Sequence, residues 1–170
     1  MLIRTEAPAD ILPIDRLLRS SLGQEREADM VAAAREQGLI TLSLVACQDD
    51  GEIIGYALFT PLQEEGHYQN WQSLALLAVH SGFVQTENTL IEDGLNMLLE
   101  LGYPACTVYS DAELYRAFGF KPASHFDLNT SGPVNPDSLL IFELTEGVAE
   151  QCNELIEIQQ DTVILRHILN

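Results

Sequence analysis

Arg35 and Arg116 are successive cations in this chain, yet the 80 residues between them, 36–115, contain no Lys or Arg. The same stretch holds 12 Asp and Glu, so its formal charge is −12. A phosphate-rich ligand bound here would have to rely on backbone N–H groups and on the partial positive charge of a helix N-terminus. A cationic ligand would be attracted instead. Within the stretch, Glu64, Glu65 and His67 share a Gly-containing loop and could accept a proton from a nucleophile. His80 ends an apolar run and can carry positive charge near neutral pH. No metal site is expected, because His67, His80, His125 and His167 are far apart and no Cys/His pair has zinc spacing. Neither a Ser-His-Asp signature nor a nucleotide P-loop is present.

The elements that would position these residues follow from periodicity. Residues 2–6 alternate as an edge strand, and 9–22 carry Ile11, Ile14, Leu17, Leu18 and Leu22 at helical spacing. Asp10 is predicted to cap that helix, with Pro13 in its first turn. A second helix is predicted over 25–37, stopped by Gly38. The period then changes. Strands are expected at 39–47 and 53–60, joined by the Gln48-Asp49-Asp50-Gly51 turn, and at 71–79, where LALLAV suits burial on both faces. A helix over 90–101 follows, then a buried strand at 104–109 and a short helix at 112–118 with Asp111 as its cap. Residues 120–128 and 139–144 read as an antiparallel pair. The tail 145–170 reads either as a helix with an acidic face of Glu146, Glu150, Glu154, Glu157 and Asp161, or as strands near 155–158 and 163–165.

This order, β-α-α-β-β-β-α-β-α-β-β, predicts one α/β (α+β) domain: a mixed central sheet with helices on both faces. The strands at 71–79 and 104–109 form a parallel crossover at its centre. The domain is expected over 1–145, with 146–170 packed on it as an extension. Eight Lys and Arg against 26 Asp and Glu leave a net charge of −18, which argues against nucleic acid and against an anionic membrane surface. Cys47, Cys106 and Cys152 are an odd number without paired spacing, as in a reducing cytoplasm, and no signal pattern or apolar run of spanning length is seen. A cytoplasmic protein is expected.

At this level of detail the chain resembles the Gcn5-related N-acetyltransferase family over residues 1–145. The matching stretches are LIRTEAPAD with IDRLLRSSL, GEIIGYALFTP, LALLAV before EDGLNMLLELGYPA, and SDAELYRAFGFKPASHFDL. The resemblance implies acetyl-CoA in a V-shaped gap between the two central strands, with the pantetheine arm along Leu77, Ala78 and Val79. It implies a pyrophosphate at the helix start formed by Gln85, Thr86, Asn88 and Thr89. Tyr115 falls where the family's general acid protonates the departing thiolate, and a phenol with a reference pKa of about 10 suits that role. His80 would stand beside the cofactor arm and could partly replace the missing cations. The acceptor would be a small-molecule or peptide amine.

The loop departs from the family's (Gln/Arg)-x-x-Gly-x-(Gly/Ala) pattern. It reads HSGFVQTENT, its only glycine, Gly82, is early, and Glu87 stands where the anion should be. Thr89 and Glu92 have capping-box spacing, so 80–89 reads either as a capped loop or as a degenerate CoA site. Two functions follow: a GNAT-like N-acetyltransferase using acetyl-CoA, or a non-catalytic protein of the same fold that binds a ligand or a protein.

Overall fold

The computed structural model describes residues 1–20, 25–62, 70–128, 130 and 134–152, and the backbone of 166–169. Strand β1 (Leu2–Thr5) leads through a 3-10 turn (Pro8–Asp10) into α1 (Ile11–Arg19), and α2 (Glu25–Glu36) follows. Asp10 does not cap α1 with its side chain. Its Oδ2 accepts the Ala7 N–H at 2.7 Å and its carboxylate takes a fork of two bonds from Arg4, at 2.5 and 3.0 Å. The acid next to the helix start is thus taken up by the preceding turn and by β1. Gly38, at φ 68°, ends the α2 segment in the left-handed region as predicted.

Three antiparallel strands come next: β2 (Leu42–Cys47), β3 (Ile53–Pro61) and β4 (Gln72–His80). Helix α3 (Thr86–Glu100) crosses to β5 (Ala105–Tyr109), which is parallel to β4. Helix α4 (Glu113–Phe118), β6 (Lys121–Pro122) and β7 (Leu139–Glu143) follow, and β8 (Arg166–Leu169) is the last element. The sheet runs β1-β2-β3-β4-β5-β7-β6, with β8 also against β4. The antiparallel pairing of β6 with β7 agrees with the expected hairpin, but β6 is two residues long rather than spanning 120–128. Pro122 has no N–H for a longer ladder, and Ala123–Phe126 turns instead into a 3-10 helix. Residues 146–151 form turns rather than an acidic helix, while Glu154, Glu157, Asp161 and the strands expected near 155–158 and 163–165 lie outside the described residues.

The two faces of the sheet are covered by different helices. Leu44, Ala57, Leu77 and Val79 pack with Leu90, Ile91, Leu95 and Leu98 of α3 and with Tyr115 of α4. Val45, Tyr56, Leu58 and Ala78 face the other way, toward Ile14, Leu17 and Leu18 of α1 and Ala28 and Val31 of α2. Strand alternation sorts the side chains between these faces. A third cluster gathers Leu62, Trp71, Leu139 and Ile141 with Ala149 of the tail, whose N–H donates to Glu143 Oε2 at 3.1 Å.

One irregularity shapes the centre of the sheet. Phe59 pairs with Leu74 but Leu58 pairs with Leu76, so Ala75 is an extra residue on β4. The faces record the slip: Leu74 lies on the α3 side, Ala75 and Leu76 both lie on the α1 side, and Leu77 returns to the α3 side. A bulge bends its strand and increases local twist. Here β4 pairs with β5 only at Gln72↔Cys106 and Ser73↔Thr107, just before the bulge. Past it the two parallel strands part into a fork toward their C-terminal ends, and β8 runs along the β4 side of that fork.

Candidate active site: the fork between β4 and β5

The closed end of the fork is polar and buried. The Thr107 hydroxyl donates to the Gln72 carbonyl at 3.4 Å, and the Thr41 hydroxyl donates to Gln72 Oε1. Cys106 stands beside this pair, fully buried, and burial pushes its thiol up to about 12. Burial thus keeps this thiol in its protonated, weakly reactive form near neutral pH.

The open end is built by the second half of β4. Leu77, Ala78 and Val79 are wholly buried and pair with Ala57, Tyr56 and Gly55 of β3 on one edge. Their other edge faces into the fork. His80 ends the strand and caps a 3-10 turn (Ser81–Phe83), its Nδ1 accepting the Gly82 N–H at 3.4 Å. That nitrogen therefore serves as an acceptor, and His80 organises the connection between β4 and α3. Its ring meets Phe83 edge-on, with centroids 6.0 Å apart.

Helix α3 begins at Thr86 rather than at residue 90. The apolar stripe starts at Leu90, so the polar Thr-Glu-Asn-Thr turn ahead of it carries no periodic signal, yet it is helical and Thr86 and Glu87 are buried in it. This overturns the capping pair proposed from Thr89 and Glu92, because Thr89 lies inside the first turn. Gln85 occupies the cap position, in helical conformation and without a side-chain cap bond. The structure thus brings Gln85, Thr86, Asn88 and Thr89 together at one helix N-terminus, shortly after the β4 edge that β5 leaves. Gln85 and Asn88 are exposed, Thr89 is half-buried, and the Thr86 hydroxyl donates to Met1 Sδ at 3.3 Å. Gly55 allows α3 to lie close over β3: a Cβ there would sit 3.1 Å from Leu90 and 3.5 Å from Thr86.

Tyr115 enters from α4 into the cluster that holds Leu77, Val79 and Val108. It is wholly buried and packs edge-on against Phe120, centroids 5.8 Å apart. Gly119, at φ 106°, closes α4 in the left-handed conformation and lets the chain reverse so that Phe120 meets the helix it has just left. The Asp111 cap expected for α4 is not formed. Asp111 Oδ1 accepts from the Ser138 hydroxyl, the cap position is Ala112, and Ser110 Oγ accepts the Ala112 N–H at 3.1 Å. Arg116, the first cation after the long acidic run, donates to the Asp137 carbonyl at 3.0 Å. Glu64, Glu65 and His67 lie outside the described residues.

Sequence reasoning missed two features of this site. One is the bulge at Ala75, which has no signal inside an unbroken apolar run. The other is β8, which comes from the tail.

A mixed sheet that opens between two parallel central strands, with a helix N-terminus at the mouth and a tyrosine from the next helix beside it, defines the acyl-CoA N-acyltransferase class of fold. No family model matches the chain. Over 159 residues it is 37% identical to YhbS of Escherichia coli, an uncharacterized N-acetyltransferase, covering 92% of this chain and 95% of that protein. The crystal structure of E. coli YhbS, a GNAT family N-acetyltransferase in complex with CoA, superposes with a TM-score of 0.85 at 36% identity, covering 94% of this chain and 90% of that one. A GNAT family acetyltransferase from Brucella melitensis in complex with acetyl-CoA gives a TM-score of 0.67 at 27% identity, over 84% of this chain and 86% of that one. The chain belongs to the GNAT family of N-acetyltransferases.

Proposed function

We propose that this chain transfers an acetyl group from acetyl-CoA to an amine, with the β4–β5 fork as the site. The observation that carries the reading is the bulge at Ala75: past it β5 leaves the β4 edge over 77–80, and that edge leads to the α3 N-terminus, where the Gln85 side chain makes no cap bond. The relatives seen with CoA and acetyl-CoA support the same cofactor. The fork also fits an extended chain of amides, since one strand already pairs along 77–80.

Acetyl-CoA would supply an acyl group activated as a thioester. Backbone N–H groups near Leu77, Ala78 and Val79 would polarise its carbonyl. The amine nitrogen then attacks the carbonyl carbon, the C–N bond forms and the C–S bond breaks. Tyr115 gives its proton to the leaving sulfur and regains one from solvent, and the amine nitrogen loses a proton to water as the amide forms. Gln85, Thr86, Asn88 and Thr89 would hold the pyrophosphate through backbone N–H groups at the start of α3. The acidic surroundings would attract an amine that arrives as a cation, which gives up one proton to water before it attacks.

The reading is tested by titrating acetyl-CoA into the full chain by calorimetry, followed by thiol release with a panel of amines. Saturable binding and amine-dependent release of CoA are the expected results. Absence of binding at millimolar acetyl-CoA would overturn the reading and return the protein to the non-catalytic alternative.

A further inference from the structure

The β4 edge that β5 abandons is taken by β8. The pairing is parallel and in register: Leu77↔Arg166, Ala78↔His167, Val79↔Ile168 and His80↔Leu169. These are the residues assigned above to the cofactor arm, together with His80, where the connection to α3 begins. Along one edge of a strand each N–H and C=O serves one partner. The pantetheine arm of an acyl-CoA is an extended chain with two secondary amides, so it asks for the same groups that a short peptide strand asks for. The two cannot lie on β4 together.

Two further observations bear on this. Tyr115, which must meet the leaving sulfur, is 0% exposed, walled in by the core that holds Leu77, Val79 and Phe120, so the sulfur reaches it only if the fork opens. Among the described residues β8 pairs with β4 alone, so its departure breaks a single ladder of four residue pairs. A short strand held on one side belongs to the low-stability end of a structure and can leave without global unfolding.

We propose that β8 is an intrasteric strand: it closes the fork in the resting protein, and acyl-CoA binds only by displacing it. The inference rests on the acetyl-CoA reading of the fork. The apparent affinity for CoA is then the intrinsic one divided by the fraction of molecules in which β8 is out, so nine closed molecules in ten weaken it about tenfold.

The test uses coenzyme A and three variants of the full chain: deletion of 166–170, His167→Pro and Ile168→Pro. Removing 166–170 takes away Arg166 and no acid, so charge alone would weaken binding of a polyanion. Successive residues of a strand send their N–H groups to opposite edges. Only one of the two prolines therefore removes a bond to β4, and the other serves as its control. The expected result is CoA binding about tenfold or more tighter in the deletion and in one proline variant, with faster amide exchange at 77–80 in both before CoA is added. Unchanged exchange at 77–80 in all variants would overturn the pairing. Equal CoA affinity in all four chains would overturn the competition while leaving the acetyltransferase reading in place. CoA binding to none of them would overturn both.

Discussion

Gly94 of α3 lies directly over Phe59 of β3: a Cβ on Gly94 would stand 2.4 Å from the ring's Cζ and 2.6 Å from Cε2. The contact sets how closely α3 can approach the sheet, and thereby where its N-terminus stands relative to the β4 edge. Gly94→Ala should destabilise the fold by about 1–3 kcal/mol through overpacking, despite the better helix propensity of Ala. Urea denaturation measures this. Adding Phe59→Leu should recover part of the loss, and a double mutant no more stable than Gly94→Ala would show that the ring is not the obstacle.

Tyr115→Phe removes one hydroxyl and leaves the ring's packing against Phe120 intact. If Tyr115 is the general acid, kcat should fall by about 10²–10⁴ with KM for acetyl-CoA nearly unchanged. Thiol release against amine concentration measures it. A variant that keeps its kcat would remove Tyr115 from the mechanism.

Salt should act on acetyl-CoA binding in an uncommon direction. Sites that hold phosphates with Lys and Arg weaken as salt rises. Here residues 36–115 contribute −12 and no cation, so screening relieves repulsion. Calorimetry at about 20 and about 200 mM salt should show equal or tighter binding at the higher value. A steep loss of affinity would mean that cations from elsewhere in the chain reach the phosphates.

The thiols should separate by burial. Cys106, pushed up to about 12 by desolvation, and the buried Cys47 should react with a disulfide reagent only after denaturation, whereas the half-buried Cys152 should react first in the native protein. Cys152→Ser should abolish the fast phase and remove the background from thiol-release assays. A fast phase that survives this change would show that one of the other two thiols is reachable.

The ion pair between Arg4 and Asp10 ties β1 to the start of α1, and the Arg4 guanidinium, with the Ala7 N–H, holds the Asp10 carboxyl below its usual range. The folded-state pKa is lowered, so the stabilisation is complete above the unfolded value of about 3.9 and is lost as pH falls through the folded one. Asp10→Asn should therefore lower the melting temperature at pH 7, and by progressively less as pH falls below the unfolded value of about 3.9. Melting curves of both chains from pH 3 to 7 measure it, and an equal difference at every pH would mean the pair acts by shape rather than charge.

Most of the architecture was legible along the chain because apolar spacing is a local property. The stripe of Leu90, Ile91, Gly94, Leu95 and Leu98, the run LALLAV and the turn at Gly51 each declare their element within a few residues. The Tyr115 position, the acidic stretch and the order of elements that carries the family resemblance could be read in the same way. Where local chemistry was ambiguous, contacts from elsewhere settled it. Asp10 and Asp111 sit where caps sit, but Arg4 and Ser138 take their carboxylates. Thr86 and Glu87 are polar, so the first turn of α3 went unseen until packing buried them. The extra residue at Ala75 leaves no trace in a strand apolar on both faces, because only the partner strand defines a register. The pairing of 77–80 with 166–169 joins segments almost ninety positions apart. A free strand edge has no sequence signature of its own. It is created when β5 turns away, and which chain then occupies it follows from three-dimensional proximity.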